Sequence, residues 1–362
     1  MIVLFTGGGT AGHILPNVPL IERLAGAGHE LHYAGSGAPL ERQLLANLPV
    51  EYHVLATGKL RRYLSFENLL DVWRVALGIV QGVALVRRLR PDVVFSKGGF
   101  VSVPAVLGAA LCRVPVIAHE SDLSPGLANR LAHRVARIVC TTFPDTRFGR
   151  PGDTRIRYTG LPIRAALTLG DAGRGRRWLG LAQSDATPVL LVTGGSQGSA
   201  RLNAFVRGEL AGLTARHFVV HLCGRGNLDA DLDRASRYRQ YEFLEAALGD
   251  VLAAADCVVS RAGATALYEL LALRKRVLLV PLTLAQSRGD QLENARWAVA
   301  NGFARMVQES ELSLPRVERE LEALEAQRTA LRQRLDRSFT IGDATGRIVA
   351  LIEAVGGGAV PA

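Results

Sequence analysis

Val192-Thr193-Gly194-Gly195-Ser196-Gln197-Gly198-Ser199-Ala200-Arg201-Leu202-Asn203 follows the apolar run Pro188-Val189-Leu190-Leu191-Val192 and leads into a helical pattern. The run reads as a buried parallel strand. A glycine-rich turn from strand to helix aims backbone N–H groups beyond the helix N-terminus, where the helix dipole favours an anion. The arrangement recurs at the start of the chain. Ile2-Val3-Leu4-Phe5 runs into Thr6-Gly7-Gly8-Gly9-Thr10-Ala11-Gly12-His13, and a helix is expected next. Two phosphate-type cradles, each opening one half of the chain, predict two similar α/β domains facing across a cleft.

A chain of 362 residues is long for one domain and natural for two. The net charge of +10 suits an anionic partner: nucleotide, lipid diphosphate, membrane surface or nucleic acid. Many arginines, among them Arg316, Arg319, Arg328, Arg332, Arg334 and Arg337, interleave with glutamate on one late helical stretch and read as a solvated face. Of the four cysteines (Cys112, Cys140, Cys223 and Cys257), none forms a Cys-x-x-Cys pair. They read as core residues of a reducing compartment rather than disulfides or metal ligands. The chain opens directly on strand residues, so no signal peptide is expected. The apolar stretch Val75 to Val86 is interrupted by Gln81, ends in Arg87-Arg88 and is too short to span a bilayer. A cytoplasmic protein with peripheral membrane contact is expected.

The first half alternates strand-like runs (Glu30 to Ala34, Glu51 to Leu55, Asp92 to Ser96, Val114 to Ala118) with helical ones (Pro16 to Ala27, Leu40 to Leu48, Asn68 to Arg90). The second half repeats the pattern, with strands at Val189 to Val192, Phe218 to Leu222, Cys257 to Ser260 and Val277 to Val280. Such alternation means parallel sheets with helices on both faces. The domain boundary is placed near Leu161, giving domains over 1–161 and 162–341. A last helical run over 342–356 is expected to complete the first. In such sheets ligands bind beyond the carboxyl ends of the strands. The unusual polar residues fall there: His13, Gly98-Gly99, His119-Glu120, Gly194-Gly195-Ser196 and Arg261-Ala262-Gly263.

The first loop lacks Gly-x-Gly-x-x-Gly spacing, although Glu30 stands near the place of a ribose clamp, so a dinucleotide site stays open. Walker spacing is absent. His13, expected at the start of a helix, can donate to an anion or accept a hydroxyl proton, or simply cap its own loop. Ser196 suits a phosphate and equally an N-cap. Arg164 can clamp a diphosphate bidentately or be a surface arginine. Glu269, in the second turn of a helix after Ser260-Arg261-Ala262-Gly263, can accept ribose hydroxyls or sit on the surface as a helix-dipole acid. Asp290, Gln291 and Asn294 share a helical face that suits sugar hydroxyls, with capping as the plainer role.

Gly-Gly-Gly-Thr-Ala-Gly-His-Ile-Leu-Pro from Gly7, Lys-Gly-Gly-Phe-Val-Ser-Val-Pro from Lys97 and His-Glu-Ser-Asp-Leu-Ser-Pro-Gly from His119 begin an ordered series. It continues with Gly-Leu-Pro-Ile-Arg, Gly-Gly-Ser-Gln-Gly, Ser-Arg-Ala-Gly-Ala and Gly-Asp-Gln-x-x-Asn. Over nearly its whole length the chain thus resembles the MurG family of bacterial peptidoglycan glycosyltransferases. The resemblance implies two Rossmann-like domains of the GT-B type. It implies transfer of N-acetylglucosamine from UDP-N-acetylglucosamine to undecaprenyl-diphospho-muramoylpentapeptide (lipid I), giving lipid II for the cell wall. It also implies that Leu244, Ala264 and Glu269 meet the uridine and ribose. Arg164, Ser196 and Ala264-Thr265-Ala266 would meet the diphosphate. Gln291 would meet the sugar, with Asp290 and Asn294 nearby. Thr10, Ala11, Gly12, His13, Phe100, His119, Glu120 and Asp122 would line the acceptor side. Three positions depart from the family pattern: Ala11 stands for Gly, Phe100 for Tyr and Asp122 for Asn.

On this reading the transfer inverts the anomeric centre and uses no metal or cofactor. His13 is the first choice of base and Glu120 the second. The partners are the nucleotide sugar, the lipid-linked acceptor and the anionic inner surface of the cell membrane, with no nucleic acid. The segment Leu60-Arg61-Arg62-Tyr63-Leu64-Ser65-Phe66 mixes cationic and apolar residues and is expected to dock on lipid at the cytoplasmic face. Three alternatives share this pattern: a UDP-N-acetylglucosamine 2-epimerase, a sugar transferase acting on diacylglycerol, and a non-catalytic nucleotide-sugar-binding membrane scaffold.

Overall fold

Short β-branched runs bounded by glycine turns pair as parallel strands in a computed structural model, which describes residues 1–58, 66–146, 148, 152–182, 184–232, 236–338 and 344–358. The chain divides into two compact units, Met1–Arg164 with Asp343–Ala362, and Ala165–Gly342. The first carries β1 (Ile2–Thr6), β2 (Glu30–Gly35), β3 (Glu51–Val54), β4 (Val93–Ser96), β5 (Val116–Glu120), β6 (Ile138–Thr141) and β7 (Ile156–Tyr158). Their order is β3-β2-β1-β4-β5-β6-β7. The second carries β8 (Val189–Thr193), β9 (Phe218–Leu222), β10 (Tyr238–Tyr241), β11 (Cys257–Ser260), β12 (Arg276–Leu279) and β13 (Arg305–Met306), ordered β10-β9-β8-β11-β12-β13. Every pairing recorded in both sheets is parallel. In each unit the first strand is central and the order reverses beside it, as in a doubly wound Rossmann-like sheet.

The first sheet is buried on both faces, which is why its strands read as continuous apolar runs. On one face Val3, Phe5, Val93 and Phe95 pack with Ile348, Val349, Ile352 and Val355 of the helix Ala344–Gly356. Those four positions form one helical stripe. On the other face Leu4, Val94 and Ala118 meet Leu85 and Val86 of the helix Phe66–Leu89 and Ala105, Val106 and Ala109 of the helix Val103–Leu111. These two helices cross at glycines: a Cβ on Gly82 would stand 2.4 Å from Pro104 O, and one on Gly108 2.6 Å from Gly82 C.

Among the described residues no helix is long and apolar enough to cross a membrane. All four cysteines are free, and Cys140, Cys223 and Cys257 are buried. Arg319, Arg328, Arg332, Arg334 and Arg337 are exposed, and Arg332 pairs with exposed Asp336 at 3.3 Å, whereas half-buried Arg316 departs from the expected solvated face by pairing with buried Glu320 at 3.1 Å.

Candidate active site

In the first unit the strand order reverses between β1 and β4, so the loops after these strands lie side by side where such sheets take their ligands. They touch. A Cβ on Gly99 would stand 2.4 Å from Gly8 O and 3.3 Å from His13 Nδ1; one on Gly9 would stand 2.7 Å from Cε1 of the Phe100 ring. Gly99 and Gly9 also sit at φ 79 and 86, where a side chain is strained.

His13 closes a short 3-10 turn, Ala11–His13, and its Nδ1 shares a hydrogen bond with Thr10 Oγ1 at 3.0 Å. Thr10 is exposed, Gly12 and His13 are half-buried, and Ala11 is buried. The expected helix does not start at His13. A second 3-10 turn, Leu15–Asn17, intervenes before the helix Val18–Gly26. Pro19 lacks the N–H that a continuous helix would donate to Leu15, so the helix cannot extend backwards. The dipole argument for the first loop therefore fails, and its binding capacity rests on loop amides and His13.

Glu41 holds this loop from beneath. It is 1% exposed. It accepts from Gly9 N at 3.3 Å, Ser36 N at 2.7 Å, Ser36 Oγ at 2.8 Å and the Tyr52 hydroxyl at 2.7 Å. Sequence reading missed it, because in the helix Pro39–Leu45 it looks like an ordinary first-turn acid.

His119 and Glu120 lie within β5 rather than beyond it, since pairing with β6 continues through His119↔Cys140 and Glu120↔Thr141. His119 is fully buried, so the expectation that it lines the acceptor side is corrected. Its Nε2–H donates to Gly160 O at 2.9 Å, and Nδ1 has no partner among the described residues. Burial holds the imidazole neutral, well below its ordinary range. Gly160 begins the segment leading to half-buried Arg164, which closes the first unit. The preceding carbonyl, Thr159 O, accepts from Arg347 Nη2 at 2.8 Å.

Glu120 is 3% exposed, and three N–H groups occupy its carboxylate: Asp122 N at 2.9 Å, Gly126 N at 3.2 Å and Asn129 Nδ2 at 2.9 Å. Burial, then the Asp122 charge, push it above the usual carboxylate range. Nearby Lys97 is fully buried and donates to Ser121 Oγ. Burial pulls its ammonium down, against the fields of Glu120 and Asp122. Glu120 thus anchors the loop over 121–126, and its donors leave little room for the second-choice role of base. Lys97, unforeseen except as a turn residue, offsets the charge that Asp122 brings.

In the second unit the order reverses between β8 and β11. After β8 come Gly194 to Gly198, then Ser199. The side chain of Ser199, not Ser196, caps the helix Ala200–Gly208 by accepting from Leu202 N at 3.3 Å. Ser196 stays half-buried on the loop. Gly198 needs its missing Cβ, which would stand 2.0 Å from Cys223 O. After β11, the helix Ala264–Ala272 starts at Gly263 with no side-chain cap among the described residues, so the first-turn amides of Ala264, Thr265 and Ala266 face outward along its axis. Glu269 is half-buried in the second turn.

Arg261 ties these two loops together. It is 7% exposed. Nη2 donates to Ser199 Oγ at 2.6 Å and to Glu309 Oε1 at 2.5 Å, and Nη1 donates to Val280 O at 3.0 Å. The helix Asp290–Ala300 joins the same frame: Asn294, fully buried, donates to Ala262 O at 3.1 Å, and Gln291 Oε1 accepts from Leu282 N at 3.2 Å. Asn294 is therefore a tie to the Ala262 turn. Asp290 Oδ1 is buried without a partner among the described residues. Buried Leu244 follows β10, at the β10 edge of the sheet. The sequence-predicted donor residues Ser196, Ala264 to Ala266, Asp290, Gln291 and Asn294 thus gather around one switch point.

The sequence profile of the glycosyltransferase family 28 N-terminal domain matches residues 3–141, and that of its C-terminal domain matches residues 189–346. The chain belongs to glycosyltransferase family 28. Among family 28 relatives, the UDP-N-acetylglucosamine--N-acetylmuramyl-(pentapeptide) pyrophosphoryl-undecaprenol N-acetylglucosamine transferase of Legionella pneumophila (strain Lens) is 41% identical over 351 residues, covering 97% of this chain and 96% of its own. The Clostridium kluyveri protein of the same name is 42% identical over 351 residues, covering 97% and 98%. The crystal structure of Acinetobacter baumannii MurG, 24% identical, superposes with a TM-score of 0.71 over 97% of this chain and 99% of that one, and so shares the fold. The two profiles meet the two units, each carrying its own glycine-loop switch point.

Proposed function

We propose that this family 28 glycosyltransferase moves N-acetylglucosamine from UDP-N-acetylglucosamine to undecaprenyl-diphospho-muramoylpentapeptide, converting lipid I to lipid II. The observation that carries this reading is the identity of 41% over 97% of the chain with a transferase named for that donor and acceptor. Apart from Arg164, donor groups are assigned to the second unit and acceptor groups to the first. The acceptor hydroxyl oxygen attacks the anomeric carbon in line, the bond from that carbon to the diphosphate oxygen breaks, and UDP leaves. The configuration inverts. The Ala264 to Ala266 amides, Ser196 and Arg164 take the charge that develops on the leaving diphosphate. Glu269 and Leu244 hold the nucleoside, while Asp290 Oδ1 and the Gln291 amide meet sugar hydroxyls. The loop of Thr10, Ala11 and Gly12, with Asp122, meets the acceptor, and His13 takes its proton.

The test is incubation with labelled UDP-N-acetylglucosamine, with and without lipid I. UDP release and lipid labelling are expected only with lipid I. Isomerised nucleotide sugar without acceptor would reveal an epimerase. Labelled diacylglycerol would reveal a different transferase. Binding without turnover would leave a scaffold.

A lipid-borne acceptor requires contact with a membrane, assigned here to the cytoplasmic face. Residues 60–65 of the basic segment expected to dock lie outside the described residues. The helix Phe66–Leu89 continues from that segment, and it exposes Trp73 (71%), Leu77 (53%) and Val80 (66%) at helical spacing. Its opposite side is pinned at Gly78, whose Cβ would stand 2.0 Å from Ala56 O. An apolar stripe on a surface helix suits the headgroup boundary. Trp73→Glu with Val80→Glu is expected to cut co-sedimentation with anionic vesicles several-fold while sparing turnover on a short-chain soluble acceptor. Unchanged sedimentation would remove this docking surface.

A further inference from the structure

The β3 edge of the first sheet carries a cluster that the transfer does not use. β2 and β3 run in parallel with His32 opposite Glu51 and Ala34 opposite His53. Two-residue periodicity puts Glu51 and His53 on one face, beside His32. His32 Nδ1 lies 3.0 Å from His53 Nε2 and 3.5 Å from Glu51 Oε2, and His53 Nε2 lies 3.7 Å from Glu51 Oε1. Two zinc–ligand bonds of about 2.0–2.1 Å at a tetrahedral angle place their donor atoms about 3.3–3.4 Å apart. The two nitrogens are within about 0.4 Å of that span, Glu51 turns one oxygen to each of them, and one ligand atom from each residue lies within 4.8 Å of the other two.

The surroundings fit as well. The His32 side chain is 4% exposed, and its Nε2 meets Glu30 Oε1 at 3.0 Å. A carboxylate accepting from Nε2–H fixes the tautomer that turns the Nδ1 lone pair into the triangle, as the outer partners of metal-bound histidines do. Glu51 and Glu30 supply negative charge. Arg88 Nη2, exposed, lies 3.4 Å from His53 Nδ1. Metal on Nε2 would put the proton on Nδ1, so the exposed Arg88 guanidinium, which can only donate, would have to leave that nitrogen.

We propose that His32, Glu51 and His53 bind one Zn2+, with water completing the tetrahedron, and that the ion clamps the edge strand β3 to β2. Two imidazoles and a carboxylate select zinc over magnesium or calcium, which take oxygen donors. The expectation of no metal concerned the transfer chemistry, and this site lies apart from the loops after β1 and β4.

The test is calorimetric titration of ZnCl2 into the EDTA-treated full chain near neutral pH. One equivalent is expected to bind, and Co2+ in its place is expected to show the visible absorption of a tetrahedral ion. Glu51→Gln and His53→Gln should each weaken Zn2+ binding by at least the roughly 10–100-fold that loss of an outer partner costs. Glu51 is a surface side chain, 67% exposed, so its variant folds. Thermal unfolding should shift upward with Zn2+ in the parent and not in the variants. Absence of stoichiometric uptake, or equal affinity in parent and both variants, would overturn the proposal. Neither result bears on transfer, which the lipid I assay reads separately.

Discussion

His13→Ala is expected to lower kcat by about 10²–10⁴-fold, the range for loss of a general base. The Michaelis constant for UDP-N-acetylglucosamine should change little, because the groups proposed to hold its nucleoside and sugar lie on the second unit. Access decides between the two candidate bases. His13 is half-buried at the junction of the loops after β1 and β4, against Gly99. In its base form Nδ1–H donates to Thr10 Oγ1, 3.0 Å away, and Nε2 offers its lone pair to the acceptor hydroxyl. Glu120 is the competing carboxylate, but its two oxygens already accept three N–H bonds. Glu120→Gln would set an amide N–H against one of those donors and cost about 1–3 kcal/mol of stability. Its residual folded enzyme should keep most of its turnover. A His13→Ala enzyme that turns over within a few-fold of the parent would end the assignment.

The glycine loops were readable because each needs a residue type that the chain rarely places by chance at the end of an apolar run. Gly9, Gly99 and Gly198 do what their positions suggested: they let backbones approach where a methyl group would collide. The central strands were readable for the same reason, since burial on both faces makes them continuous apolar runs. β7, β10 and β13 went unread. Each lies at a sheet edge, and Tyr238-Arg239-Gln240-Tyr241 sets two polar residues side by side, so it shows neither a continuous apolar run nor an alternation. β6 also escaped, although its Ile138-Val139-Cys140-Thr141 run is as apolar as strands of the same length that were read. His119 and Glu120 were located by motif but given the wrong surroundings, because sequence alone does not show that β6 extends pairing through both. The ties that hold the loops were the hardest to see. Gly9 meets Glu41 across 32 positions, and Arg261 meets Glu309 across 48. No local pattern marks such partners; only the sheet order brings them together.

Arg261→Met is expected to destabilise the protein by about 3–5 kcal/mol, the scale for removing one partner of a buried ion pair. Glu309, 7% exposed, would be left as a buried carboxylate without its guanidinium. Ser199 Oγ would lose a 2.6 Å donor, and the carbonyls of Val280 and Pro281 would lose theirs at 3.0 and 3.3 Å. Among the described residues, the cap of the helix after β8 would then be fixed only by its bond to Leu202 N. Two outcomes separate the buried charge from the lost ties. In the double variant Arg261→Met with Glu309→Leu no charge is stranded, so most of the stability should return. The Michaelis constant for the nucleotide sugar should stay raised in both, because the loops carrying Ser196 and Ala264 have lost their common strut. Calorimetric unfolding and initial rates at varied donor concentration read the two effects apart. An Arg261→Met protein with parental stability would mean the guanidinium carries no such load. Parental donor affinity in a well-folded double variant would mean the loops hold their geometry without it.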